Sequence, residues 1–276
     1  MYRLICAGIS RFAKNRLLWI FLIGMFAFGA IIGAALNDGD EAVRMYYLFA
    51  LPVGVLVGTF TCLFTGTDYS DGTIRNKLVV GHSRGAVYLS NLFFSVISGI
   101  FFIAAFLVPI SAVCVIRFGE VAVPEKGDFI IIGIALLMTA AFSSLATLVV
   151  MLTQNKAVSV VSFVVAFMAL LMFCSWLNSA LNQSMYVEGV QVVYGADGEI
   201  DESNSVEIES RPNPNYVSGV KREIYQFLVD FLPTGQVTSI IGFQLVNLWQ
   251  PAVYSLIIIL VSTIAGVLVF RRQNIK

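Results

Sequence analysis

Six blocks of apolar residues, each close to twenty long or more, run through the chain. A helix of that length crosses the ~30 Å hydrocarbon core of a bilayer. Inside that core a helix satisfies its own backbone hydrogen bonds, and an open strand does not. The blocks are Leu17–Leu36, Tyr46–Phe64, Ala86–Ile116, Phe129–Leu152, Val158–Leu177 and Leu248–Phe270. The third is 31 residues long and exceeds the bilayer core at 1.5 Å per residue, so it has to tilt, kink at Pro109 or project beyond the surface. Charged residues make up 12% of the chain, against roughly 25% in soluble domains. The expected fold is an all-α polytopic membrane protein: six transmembrane helices, an N-terminal amphipathic helix and a small mixed α/β extracytoplasmic segment. Residues 1–181 carry the first five spans, 182–248 form the polar segment, and 249–276 hold the sixth span and a tail.

The ends and loops divide by charge. On a helical wheel of residues 2–14, Tyr2, Ile5, Ile9 and Phe12 share one side, and Arg3, Ser10, Arg11 and Lys14 the other. That pattern suits a helix lying in the interface, cations among lipid phosphates. The run that follows is longer than a signal-peptide core and lacks a clear A-x-A site. The N-terminus, the 66–85 loop, the 153–157 turn and the C-terminus hold 11 of the 17 Lys and Arg and only two acids, Asp68 and Asp71. The acidic turn NDGDEAVR, the turn RFGEVAVPEKGD and the 182–248 segment hold the other 6 cations and 15 acids, leaving +9 against −9. Cations in short loops stay in the cytoplasm, so both termini are expected on the cytoplasmic side of a plasma membrane.

The longest polar interruption in the first half is GTDYSDGTIRNKLVVGHSRGAVYLSN, Gly66–Asn91. Arg75, Lys77 and Arg84 outnumber its acids. Asp71 is placed to cap a helix whose first turn takes Thr73 and Ile74. Ile74 and Leu78 then share a face, Gly81 is a C-terminal stop, and Ser83 caps the next helix. The expectation is a two-turn helix across the membrane surface, aimed at something in the cytoplasm; if it docks on a partner there, Ile74 and Leu78 would be buried in the partner's groove and Arg75 and Lys77 would form the charged rim. A solvated basic turn is the plainer reading of such a loop.

In the 182–248 segment, Tyr186–Tyr194 and Val206–Glu209 alternate around the turn signal GADG, which suggests a β-hairpin. Ser218–Phe231 carries Val220, Ile224, Phe227, Leu228 and Phe231 at helical spacing, and Pro233 ends it. Thr234–Leu245 is expected as a second surface helix. The four cysteines, Cys6, Cys62, Cys114 and Cys174, read as small apolar residues in or beside spans; a Cys114–Cys174 pair is left open.

Several chemistries have no residues to carry them. No GxxxxGK[ST] occurs, so no ATP hydrolysis is expected of this chain by itself. The single histidine, His82, excludes an HExxH zinc site. The spans contain almost no ionisable residue, which argues against a proton path or a selective ion channel. Their polar groups are Ser95, Ser98, Ser111, Thr139, Ser143, Ser144, Thr147, Ser159 and Ser162, more often the joints between helices than a substrate path. No metal, organic cofactor or nucleic-acid partner is indicated.

The whole pattern resembles the ABC exporter permeases of the second type, across essentially the full length. These have an N-terminal elbow helix, six spans and a cytoplasmic coupling helix between the second and third. The most specific stretch is DYSDGTIRNKLVVGHSR. Asp68 matches the acidic position ahead of the Gly-Thr pair, Gly72 and Thr73; Ile74, Leu78 and Arg84 match apolar and basic positions after it. The commoner family form has proline where His82 stands, so the GHSR form looks like a bacterial subgroup. The resemblance implies a separate ATP-binding subunit that carries ATP and magnesium, and a second copy of the permease or a homologous one; the apolar interior suits an amphipathic or peptide-like substrate, with drug, peptide antibiotic, lipid and sodium export all open. It assigns coupling to Asp68, Asp71, Gly72, Thr73, Ile74, Arg75, Lys77, Leu78, Gly81 and Arg84, and the elbow to Tyr2, Ile5, Ile9 and Phe12. The alternative is a membrane sensor or immunity protein that binds a peptide through residues 182–248 and transports nothing.

Overall fold

The structure is a computed structural model of the 276-residue chain and describes residues 2–36, 45–118, 126–191, 206–242 and 249–273. The acidic turn 37–44, most of the RFGEVAVPEKGD turn, the GADG turn and the 243–248 stretch lie outside the described residues. The described elements, in order, begin with α1 (Tyr2–Ala13), α2 (Arg16–Ala35), a 3-10 turn (Tyr47–Phe49) and α3 (Ala50–Ser70). Next come α4 (Thr73–Val79), α5 (Arg84–Phe118), α6 (Lys126–Thr153) and α7 (Lys156–Leu181). The chain closes with β1 (Tyr186–Gln191), β2 (Val206–Pro212), α8 (Val220–Phe231), α9 (Pro233–Ile241) and α10 (Trp249–Arg272). Six helices are long and apolar enough to cross a membrane: Arg16–Ala35, Tyr47–Ser70, Arg84–Phe118, Phe129–Thr153, Lys156–Leu181 and Trp249–Arg272. They match the six apolar blocks, within a turn or so at most ends.

The third block neither breaks nor stops at its proline. α5 runs 35 residues through Pro109, about 52 Å at 1.5 Å per residue, well over the ~30 Å of a bilayer's hydrocarbon core. α3 is the central helix, packed on α5, α6 and α7, with more than half of its residues buried. α2 packs chiefly on α5, and α10 on α6. These outer helices turn Trp19, Ile23, Ile31, Leu260, Val261 and Ile264 outward, as a lipid-facing surface requires.

Helix approach is set by glycine. A Cβ on Gly29 would sit 2.3 Å from the Phe106 carbonyl oxygen, and one on Gly33 3.1 Å from Val113. α2 therefore lies backbone to backbone on α5, as small-residue spacing allows. Gly54 and Gly58, the pair in the second span, serve differently: they leave room for the Phe167 and Phe163 rings of α7. Seven of the polar span residues, Ser95, Ser98, Thr139, Ser143, Ser144, Thr147 and Ser159, are buried and donate to carbonyls three or four residues back in their own helices. A bond between helices is made by Ser262, which donates to Ser144 Oγ at 2.8 Å. Ser111 is half-buried and Ser162 exposed. All four cysteines are free, so Cys114 and Cys174 do not pair.

The hairpin forms as the alternation suggests, antiparallel, with an irregularity between Val187 and Gly189. The helices after it depart from expectation. In α8 the fully buried residue is Val229, set with Leu228 and Tyr225 against Leu177 and Leu181 of α7. Phe227 and Phe231 meet the Tyr254 ring, while Val220 and Ile224 are more than half exposed. α9 is not a surface helix. Pro233 occupies its first turn and directs the chain back into the bundle, where Pro233, Thr234, Gly235, Gln236, Val237, Ser239 and Ile240 are buried. The Gln236 side chain makes this burial tolerable, because each of its polar atoms is bonded. Its Nε2 donates to the carbonyls of Asp230 (2.9 Å) and Pro251 (3.1 Å), and its Oε1 accepts from Ser255 (2.8 Å). Gly235 lets α9 fold back on α8, since a Cβ there would stand 2.2 Å from the Val229 carbonyl oxygen.

The Gly29 contact is backbone against backbone, so it cannot relax by a side-chain rotation. Gly29→Val should cost about 1–3 kcal/mol and lower the thermal midpoint of the detergent-purified protein. Gly24→Val is the control, because nothing lies within 4 Å of a Cβ there. Equal midpoints for the two variants would show that α2 does not pack on α5 as described.

Candidate functional site

The loop between the second and third spans is held by one carboxylate. Asp68 lies in the last turn of α3 and is 1% exposed. A buried carboxylate is costly unless paired and hydrogen-bonded. Three side chains meet the requirement. Thr73 Oγ1 donates to Asp68 Oδ1 at 2.7 Å, Lys77 Nζ donates to Oδ2 at 2.9 Å, and Arg11 of α1 forms an ion pair with Oδ1. Arg11 also donates to the Phe64 carbonyl at 3.2 Å and stacks 3.9 Å over the Phe64 ring.

Glycines in the left-handed region sit at both ends of α4. Gly72 (φ 65°) precedes it and Gly81 (φ 95°) follows it. At the C-terminal end, His82 N–H donates to the Lys77 carbonyl and Gly81 N–H to that of Leu78, the paired bonds of a Schellman motif. Ser83 Oγ then accepts from Ala86 N–H and caps α5. Arg84 reaches the opposite end of the chain: its guanidinium donates to the carbonyls of Phe270 (2.9 Å), Arg271 and Gln273 at the C-terminus of α10. A cation there also offsets the negative end of the helix dipole.

Several expectations for this loop are corrected. Asp71 does not cap α4; it ends α3, is exposed, and the position before α4 is Gly72, without a side-chain cap bond. Asp68, one turn earlier, does the anchoring, because the left-handed Gly72 swings Thr73 back over it. Ile74 is 1% exposed inside the chain's own core, and Leu78 is half-buried against that core. The apolar face of α4 is thus already used by the bundle. Lys77 is not a free rim cation but a partner of Asp68. The outward face is made of Arg75, Asn76, Val79 and Val80, the valines 80% and 78% exposed.

The N-terminal helix is also turned. Leu4 and Phe12 are buried and Ile5 is half-buried, but Ile9 is exposed. The side chain of Tyr2 lies outside the described residues. Arg11, on the cationic side by the helical wheel, points in to Asp68. Burial lowers the Arg11 pKa to about 10, against the opposing effect of Asp71, and the group stays charged at neutral pH. Burial and the nearby Arg11 charge bring Lys77 down to about 8. Sequence reasoning missed the Arg11–Asp68 pair because its members are 57 residues apart, and nothing local marks them.

No family model matches the chain, and no curated protein matches it. Among the described residues there is no group of three or more His, Cys, Asp or Glu able to hold a metal.

If Asp68 locks the loop, Asp68→Asn should release it. The change leaves Lys77 and Arg11 without their counter-ion, at about 2–4 kcal/mol once their partial exposure is allowed for. Hydrogen exchange of the amides in Thr73–Val79 should rise by about tenfold or more, with the centre of α3 unchanged. Unaltered exchange in α4 would remove Asp68 from this role.

Proposed function

We propose that the chain is the membrane-spanning permease subunit of an ATP-driven ABC exporter, with Thr73–Val79 as the helix that couples it to a separate ATP-binding subunit. The observation that carries this reading is the mounting of α4. It is short, stopped at both ends by left-handed glycines, tied through Asp68 to α1 and α3, and joined through Ser83 to α5. A stiff piece mounted in this way passes on a rigid-body displacement that a flexible loop would absorb. It keeps an exposed face, Arg75, Val79 and Val80, for a partner. The resemblance in DYSDGTIRNKLVVGHSR supports the same assignment, and so does the lack of a P-loop: ATP and magnesium belong to the partner. A second permease, identical or homologous, would complete the path. With Asp68 the one buried carboxylate among the described residues, and that at the end of a span, the interior suits an amphipathic or peptide-like substrate better than an ion.

In this reading α1 is the elbow helix, the α4 side is cytoplasmic and the hairpin side faces out, as the charge split requires. In a background with Cys6 replaced, a cysteine at Ser218 should react with an impermeant thiol reagent in intact cells, and one at Ser83 should not. The reverse pattern would invert the orientation.

The coupling role is tested on the outward face. Val79→Asp should reduce recovery of the ATP-binding subunit in a pull-down by about tenfold, roughly 1.4 kcal/mol, while insertion and thermal stability stay normal. Ile74→Asp should fail earlier, at folding, since it puts an unpaired carboxylate in the core. Wild-type recovery by Val79→Asp would move the contact off α4. If no ATP-binding subunit accompanies the wild-type protein, the exporter reading gives way to the membrane sensor or immunity protein.

A further inference from the structure

Between α1, α4 and the start of α5 lies a cavity of about 320 Å³, within the size range of small-ligand sites. Its wall carries three basic side chains, Arg11, Lys77 and His82, and no carboxylate among the described residues. Asp68 lies outside that wall but is already paired with both Arg11 and Lys77, and the exposed Asp71 also acts on Arg11. Beside the cations stands Asn91, 2% exposed, whose amide nitrogen has no hydrogen-bond partner. A buried donor left unmade costs free energy, and a native fold satisfies most of them. Arg11 and Lys77 carry more N–H groups than their bonds to Asp68 and Phe64 use, and with the idle Asn91 amide they suit a ligand with acceptor oxygens.

Apart from Thr73, Asn76 and Ser90 the rest of the wall is apolar, with Leu4, Phe64 and Phe94 among its residues. It sits at the end of the spans, where α1 packs beside α5 and turns Ile9 outward. A water-soluble anion has no use for that apolar wall, whereas a membrane lipid has both parts. We propose that this cavity binds the phosphate headgroup of an anionic phospholipid from the leaflet on the α4 side, with Asn91 Nδ2, Lys77 and Arg11 as donors and Leu4 and Phe94 against the glycerol and upper acyl carbons. The lipid would bridge α1 and α4, and basic groups at headgroup depth select the anionic class. The inference depends on the membrane-crossing helices and not on the exporter reading.

The test uses the full chain, purified in detergent and stripped of lipid. Dioleoyl-phosphatidylglycerol and dioleoyl-phosphatidylcholine are titrated, with adducts counted by native mass spectrometry and the thermal midpoint followed in parallel. Phosphatidylglycerol should bind about tenfold or more tightly than phosphatidylcholine and raise the midpoint. Asn91→Leu should lose that preference without lowering the lipid-free midpoint, because it removes the idle donor. Ala7→Trp, which fills the cavity from α1 without touching a charge, should lose it too and decides the matter if Asn91→Leu folds poorly. Equal binding of the two lipids, or an unchanged preference in Ala7→Trp, overturns the proposal. So does inorganic phosphate that reproduces the whole midpoint shift, since the site would then take a free anion.

Discussion

A carboxylate buried at the end of a hydrophobic helix cannot stand alone, and much of the loop side of this protein follows from that constraint at Asp68. In a low-dielectric setting the desolvation cost is several kcal/mol per ion, recovered only through close and well-directed partners. The chain supplies them from two directions. Lys77 and Thr73 come from the helix just after the carboxylate, and Arg11 comes from the N-terminal helix. One residue thereby fixes how α1 lies against the bundle and how α4 crosses its end. The positive φ at Gly72 is the backbone requirement for Thr73 and Lys77 to turn back over Asp68.

Elsewhere the fold depends on close approach rather than on charge. Apolar side chains gain little by leaving lipid for protein, so helices in a membrane associate through packing and a few polar contacts. Two glycine pairs show two solutions. Gly29 and Gly33 bring backbones together, while Gly54 and Gly58 receive aromatic rings from α7. At the far end of the bundle, α9 is taken inside on the strength of Pro233, Gly235 and the fully bonded Gln236. A polar side chain buried at such a point rigidifies the region, because any shift leaves several bonds unmade.

The two ends of the bundle therefore differ in kind. The α4 end is charged, capped and locked to the N-terminal helix, with an exposed basic and apolar strip. The far end carries the hairpin, the partly exposed α8 and the inserted α9. In an exporter, force would enter at the first end, and access would be controlled at the second.

The sequence by itself determined the six spans, the two-turn helix at 73–79, its glycine stop, the Ser83 cap and the hairpin. Each of these depends on residues within a few positions of one another, through the length of an apolar run, helical or strand periodicity, or a local cap. Only the tertiary structure decided which faces are used. Ile74 looked free for a partner because its helix is amphipathic, but an amphipathic helix does not say which neighbour covers its apolar side. Arg11 looked bound for lipid phosphates until Asp68, 57 residues away, required a counter-ion. α9 looked like a surface helix by composition, and the hydrogen bonds that let Gln236 be buried come from Asp230, Pro251 and Ser255, which no local pattern joins. Burial of charge and of amide groups is settled by partners distant in the chain, and that pairing exists only once the bundle has formed.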